Sequence, residues 1–197
     1  MDSEVSSRAA RFYQALLLAT FLPLCWLWMM AVHELGHVAG AWLTGGTVQR
    51  VVLHPLAFSR TDVAPNPQPV VVVWAGPLVG VLLPLAMLAV WKLNNWPAVH
   101  LIRFFAGFCL IANGAYIGAG SWSAIGDAGD MLRAGSPAWT LWLFGLLTIP
   151  LGLCLWNGSG PRYGFGKTAI PIDGRTTFVT AGLLLITIVA EVVTFSM

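Results

Sequence analysis

The chain has 197 residues, 57% of them hydrophobic and only 9% charged, with ten tryptophans and a formal net charge of +2. An ordinary soluble domain carries about 25% charged residues, so a water-soluble fold could not hide this much apolar surface. The small, dispersed charge gives no footing for a nucleic-acid partner, and at about 20 residues per crossing the length holds a single integral membrane domain (residues 1–197) of four to six spans with no separate soluble module.

Residues 1–11 form a polar tail, and residues 12–44 then read as one helix with Pro23 as a kink or late start. Arg8 and Arg11 before the apolar run outline a signal peptide, but the run is too long for one and no A-x-A cleavage site follows, so it is read as an uncleaved span. A straight helix of that length reaches about 50 Å against a hydrocarbon core of about 30 Å. Near its end stands His33-Glu34-Leu35-Gly36-His37. Histidines four apart share a helix face and can hold one zinc ion, with the glutamate between them as a general base. Ionisable groups at lipid depth are functional candidates by default. Gly36 and Gly40 make a small-residue strip along which another helix can approach, and Gly45-Gly46 ends the helix.

Residues 47–69 carry the one β signal: the β-branched run from Thr47 to Leu53 and the alternation Leu56 to Arg60 suggest a short hairpin before a proline-rich exit. His54, alone and before Pro55, is read as a turn residue. Residues 70–91 form a second span with Ala75-Gly76-Pro77-Leu78 at its head and small residues at Gly76 and Gly80. Residues 98–118 form a third, with Arg103 snorkelling to the headgroups and Asn113 in the second half needing a partner. Behind it, the glycine-punctuated stretch from Ser121 to Leu132 carries Asp127 and Asp130 and would, without context, be an exposed loop. A zinc ion held by two histidines still needs a third protein ligand, and among the eight acidic residues elimination leaves Asp127 or Asp130. Gly36 is expected to let that segment come close.

Residues 138–156 form a fourth span without ionisable residues, expected to serve as lipid-facing packing, and residues 176–197 a fifth, with Glu191 expected to reach the interface. Gly166-Lys167-Thr168 does not complete a phosphate loop, because Pro161 stands where that motif needs glycine. Cys25, Cys109 and Cys154 lie in apolar runs and read as packing residues. The fold class is therefore all-α and polytopic, about five transmembrane helices with a hairpin-like insertion after the first.

In their order along residues 20–135, the histidine motif, the β-like stretch, Ala75-Gly76-Pro77-Leu78 and Asp127 resemble the site-2 protease family of intramembrane zinc metalloproteases. The resemblance implies His33 and His37 as zinc ligands, Glu34 as catalytic base and Asp127 as third ligand, with Asp130 the alternative. It also implies one zinc ion per chain and hydrolysis of a membrane-protein substrate within the lipid bilayer of a prokaryotic cell. The stretch Asp127-Ala128-Gly129-Asp130-Met131-Leu132 is similar to the family's D-G-G-x-[IL]-L run, although Gly126-Asp127-Ala128 replaces Leu-Asp-Gly. The family places an asparagine and prolines just before its aspartate. Here the nearest asparagine is Asn113, fourteen positions upstream with no proline between, and it takes the expected substrate-binding role. The chain resembles a compact variant with the catalytic core alone.

Rival readings are a catalytically inactive zinc-binding membrane protein that holds partner helices, a small transporter, and a zincin with Glu191 as third ligand. The transporter predicts an internal repeat, and none is seen. The peptidase reading predicts a narrow polar cavity at the zinc. Arg8, Arg11, Lys92, Arg162, Lys167 and Arg175 on one side, against Arg50, Arg60 and Arg133 on the other, put the N-terminus in the cytoplasm; the resemblance implies the opposite.

Overall fold

Lipid leaves a backbone no water to bond, so apolar runs of this length close their own hydrogen bonds as helices. The structure, a computed structural model, describes residues 2–195 and the side chains of residues 9–194. Met1, Ser196 and Met197, the extremities of the expected tail and last span, lie outside the described residues. In order come α1 (Asp2–Leu43), β1 (Val48–Val52), β2 (Arg60–Val63), α2 (Pro69–Leu93), α3 (Val99–Ser123), α4 (Gly126–Arg133), α5 (Ala138–Trp156), a 3₁₀ turn (Gly160–Tyr163) and α6 (Gly174–Phe195). Among the described residues five helices, α1, α2, α3, α5 and α6, are long and apolar enough to cross a membrane. The protein is an all-α polytopic membrane protein with a two-stranded antiparallel hairpin after its first helix.

The helices pack in the spatial order α6, α1, α2, α3, α5. α1 runs through Pro23 without a break in its helical assignment, and Pro69 opens α2 at a position where a missing N–H costs nothing. α6 runs alongside α1 in the same direction: Trp28 Nε1 donates to Thr187 Oγ1 at 3.0 Å, and the hydroxyls of Thr20 and Thr180 lie 3.4 Å apart. The Asp173 carboxylate starts that helix by accepting from the backbone N–H groups of Thr176 and Arg175, which hold it below the usual aspartate range. α5 is more than a lipid-facing plank. Its Gly145 sits over Gly114 and Gly118 of α3 so closely that a Cβ there would stand 2.9 Å from the Gly114 carbonyl oxygen.

The hairpin forms with a different second strand from the one its alternation suggests. β1 pairs with residues 60–63 (Val51 with Thr61, Val52 with Arg60), and Leu56 and Phe58, 92% and 88% exposed, fall in the connection. The pairing that forms turns the β-branched Thr61 and Val63 towards the bundle and leaves Arg60 and Asp62 outside. His54 is in that turn, its Nδ1 accepting from Leu56 N at 3.2 Å.

Two apolar clusters flank the middle of the molecule. One gathers Leu17, Phe21, Leu101, Phe105 and Tyr163 towards the end bearing the chain's N-terminus; the other gathers Val73, Ile117, Ala128, Met131 and Leu141 beneath α4. The segment carrying Asp127 and Asp130 is this short helix, not an exposed loop. α3 ends in left-handed backbone at Ala124, Gly126 continues with φ +54°, and the chain restarts with Asp127 in the first turn and Arg133 in the last, signs that suit the helix dipole.

Candidate metal centre

Four elements meet at the histidines. α1 presents His33, Glu34 and His37, all buried; α2 lies behind them, α3 brings Asn113 and α4 brings Asp127. His33 Nε2 is 2.7 Å from Asp127 Oδ2, His37 Nε2 is 3.2 Å from the same oxygen, and the two Nε2 atoms are 3.1 Å apart. Among the described residues these three form the one group of three or more His, Cys, Asp or Glu side chains placed to hold a metal ion.

Hydrogen bonding on the far side of each ring decides what these atoms offer. A backbone carbonyl can only accept, so the 2.9 Å contact with Cys109 O turns the Asn113 Nδ2 group that way and leaves Oδ1 facing His33 Nδ1 at 2.6 Å. His33 Nδ1 is thus the protonated nitrogen. His37 Nδ1, 2.8 Å from the carbonyl of Val72, is protonated for the same reason. Both Nε2 atoms then carry lone pairs, and with the carboxylate they make three acceptors aimed at one point with no donor among them. Such an arrangement repels itself until a cation enters, and outer-shell carbonyls of this kind orient histidine ligands. Three protein ligands drawn from two imidazoles and a carboxylate suit zinc with its fourth position open.

Glycine makes the space. A Cβ on Gly76 would run into Cε1 and Nε2 of His37 and stand 2.9 Å from His33 Nε2, and one on Gly80 would stand 2.8 Å from Asn113 Oδ1. The glycines of α2 are therefore a seat for the imidazoles and for the amide behind them, beyond the helix packing expected of the strip. Gly36 serves a different neighbour from the one expected: a side chain there would strike the Ala75 carbonyl of α2, and the aspartate-bearing α4 is not what it accommodates.

Asp130 lies outside the cluster, exposed and paired with Arg133 on its own helix. Asn113, 1% exposed, lies behind His33, with Oδ1 facing His33 Nδ1 and Nδ2 donating to Cys109 O. Glu191 is 5% exposed near the end of α6, its Oε2 has no partner among the described residues, and it is not in the histidine cluster. One neighbour escaped notice in the sequence altogether. Thr61 of β2 donates its hydroxyl to Glu34 Oε2 at 2.7 Å, a contact that no spacing rule signals.

The cluster opens on a cavity of about 1280 Å³ bounded by Trp26, Met29 and Met30 of α1, the hairpin side from Phe58 to Asn66, and α4. It is wider than the narrow polar space expected. Val72 and Val73 of α2 line it on one side and the hairpin on the other, where Thr61 reaches across to Glu34.

A family model described as Peptidase M50B-like matches residues 10–125. The chain belongs to this family. Its M50B-like portion contains the histidine motif, the hairpin, the α2 glycines and Asn113, and stops two residues before Asp127. The place of Asp127 in this M50B-like protein therefore rests on the geometry of the cluster itself. No curated protein and no solved structure matches the chain.

Proposed function

We propose that the protein is an intramembrane zinc metallopeptidase that hydrolyses a peptide bond in or near a transmembrane segment of a membrane-protein substrate. The observation that carries this is the convergence of three acceptors, His33 Nε2, His37 Nε2 and Asp127 Oδ2, beside a buried glutamate on a large cavity. Membership of a peptidase family supports the reaction class. The family resemblance alone carries the setting, a prokaryotic cell membrane.

His33, His37 and Asp127 would hold the ion, one per chain. Bound there, zinc supplies a Lewis acid that acidifies water and polarises a carbonyl. Asn113 and the Val72 carbonyl keep both Nε2 lone pairs directed at it. Glu34 takes the proton from the attacking water at one carboxylate oxygen while Thr61 fixes the other, then delivers that proton to the leaving amine. A helical substrate shields its amides with its own hydrogen bonds, so it must unwind before attack. Residues 60–63 line the cavity as an edge strand, and an extended substrate adding to that edge would present its carbonyls in order.

The test is zinc content and cleavage of a model membrane substrate by purified wild-type and Glu34→Gln protein. One zinc per chain in both, with cleavage lost in the variant, is expected. Equal cleavage by both would overturn the proposal; zinc without cleavage in either would favour a metal-holding membrane protein.

A further inference from the structure

At the opposite end of the bundle from the histidines, a cavity of about 400 Å³ lies where the end of α2, the start of α3 and the chain after α5 come together. Lys92, Arg103 and Arg162 line it with His100, Ser159 and Trp96, and no carboxylate does. Among the described residues none of the three cations is in an ion pair. Arg103 is the informative one. It sits half-buried in the second turn of a membrane-crossing helix, and one of its nitrogens donates to Asn157 O at 2.9 Å. That bond ties α3 to the end of α5 but supplies no counter-charge, and a cation near the end of a membrane span is favoured by an anionic partner at headgroup depth.

Tryptophans set the depth. Trp91 and Trp96 meet edge to face with ring centroids 4.7 Å apart, Trp91 Nε1 donates to Pro97 O, and Trp156 Nε1 donates to Phe104 O. Such rings gather where acyl chains give way to headgroups. Beside the cavity, Val90 and Leu93 of α2 and Leu153 of α5 expose apolar side chains on which acyl chains could lie. Three cations without acids, at headgroup depth, between helix ends and flanked by apolar faces, match the chemistry of a lipid phosphate.

We propose that the cavity formed by Lys92, Arg103 and Arg162 is a binding site for the headgroup phosphate of an anionic phospholipid. The site is independent of the zinc reading: Asn113 lies fourteen residues, about 20 Å, further along α3 from its start at Val99. A lipid there would bridge the α2–α3 turn and the chain after α5, adding to the hydrogen bonds that Arg103, Trp156 and Tyr163 already make between them.

The experiment uses the full chain in mild detergent with equal amounts of phosphatidylglycerol and phosphatidylcholine, retained lipid being counted by native mass spectrometry. Wild type should favour phosphatidylglycerol. Lys92→Gln with Arg162→Gln leaves the Arg103–Asn157 bond intact and should lower that preference about 25-fold, at about fivefold per cation. Lys167→Gln, a cation outside the cavity, should leave it unchanged. An undiminished preference in the double variant, or an equal loss in Lys167→Gln, would overturn the proposal. So would displacement of the lipid by millimolar inorganic phosphate, which would make this a free-phosphate site.

Discussion

Replacing Gly76 by alanine adds one methyl group at the point where α2 backs onto the histidines, and the geometry says what it must do. The new Cβ would stand 2.9 Å from His33 Nε2 and nearer still to the ring of His37, where ordinary contacts lie at 3.4–4 Å. The imidazoles or the helix must give way by about 0.5 Å or more, whereas a metal site tolerates about 0.2 Å in its ligand distances. Overpacking of this kind costs about 1–3 kcal/mol, and disturbing the support of a ligand lowers metal affinity about 10- to 100-fold. Alanine for glycine in a helix otherwise helps, by about 0.5–1 kcal/mol. Gly182 of α6 has nothing within 4 Å of a Cβ, so Gly182→Ala isolates that gain. Zinc affinity measured against a competing chelator, with thermal melting in the same detergent, separates the two effects. Gly76→Ala should bind zinc at least tenfold more weakly than wild type while Gly182→Ala binds normally and melts no lower. If Gly76→Ala binds zinc as tightly as wild type and melts like Gly182→Ala, the seat assigned to Gly76 is wrong.

Asn113→Leu removes the oxygen that holds His33 in its tautomer and should weaken zinc binding about 10- to 100-fold, read by the same chelator competition. Asp127→Asn should lose stoichiometric zinc in elemental analysis, and Asp130→Asn should keep it, because Asp130 faces Arg133 outside the cluster. Thr61→Val leaves Glu34 Oε2 without its donor; zinc content should stay at one per chain while kcat falls about tenfold or more, the value of a hydrogen bond to a charged group. Asp173 is held below the ordinary aspartate range in the folded chain, so its contribution to α6 is present above that range and lost as pH falls through the folded value. Asp173→Ala should therefore melt below wild type at neutral pH, and the difference should close in acid.

The parts of the site that sequence made legible are those set by local periodicity or by scarcity. His33 and His37 share a face because an α-helix repeats every 3.6 residues, whatever surrounds it. The scarcity of acids narrowed the remaining candidate to Asp127 or Asp130, and the fold separates them, with Asp127 against the histidines and Asp130 paired with Arg133. What stayed hidden is what needs three-dimensional context. The Val72 carbonyl that fixes His37 could come from any residue type, so it leaves no trace in composition. Thr61 reaches Glu34 only through a register that pairs β1 with residues 60–63, and the alternation from Leu56 to Arg60 pointed one strand too early. Asn113 drew notice as a buried amide, but its role depends on where its two ends point. Gly76 and Gly80 read in the sequence as small packing residues, and the space they leave is filled by the two imidazoles and an amide. The centre therefore depends on α2 as much as on the motif in α1: Val72 orients one histidine, Gly76 seats both, and Gly80 admits the amide that orients the other. A helix that contributes none of the three converging acceptors fixes one imidazole directly and makes room for the amide that fixes the other, which is why the identity of those three residues alone underdescribes this cluster.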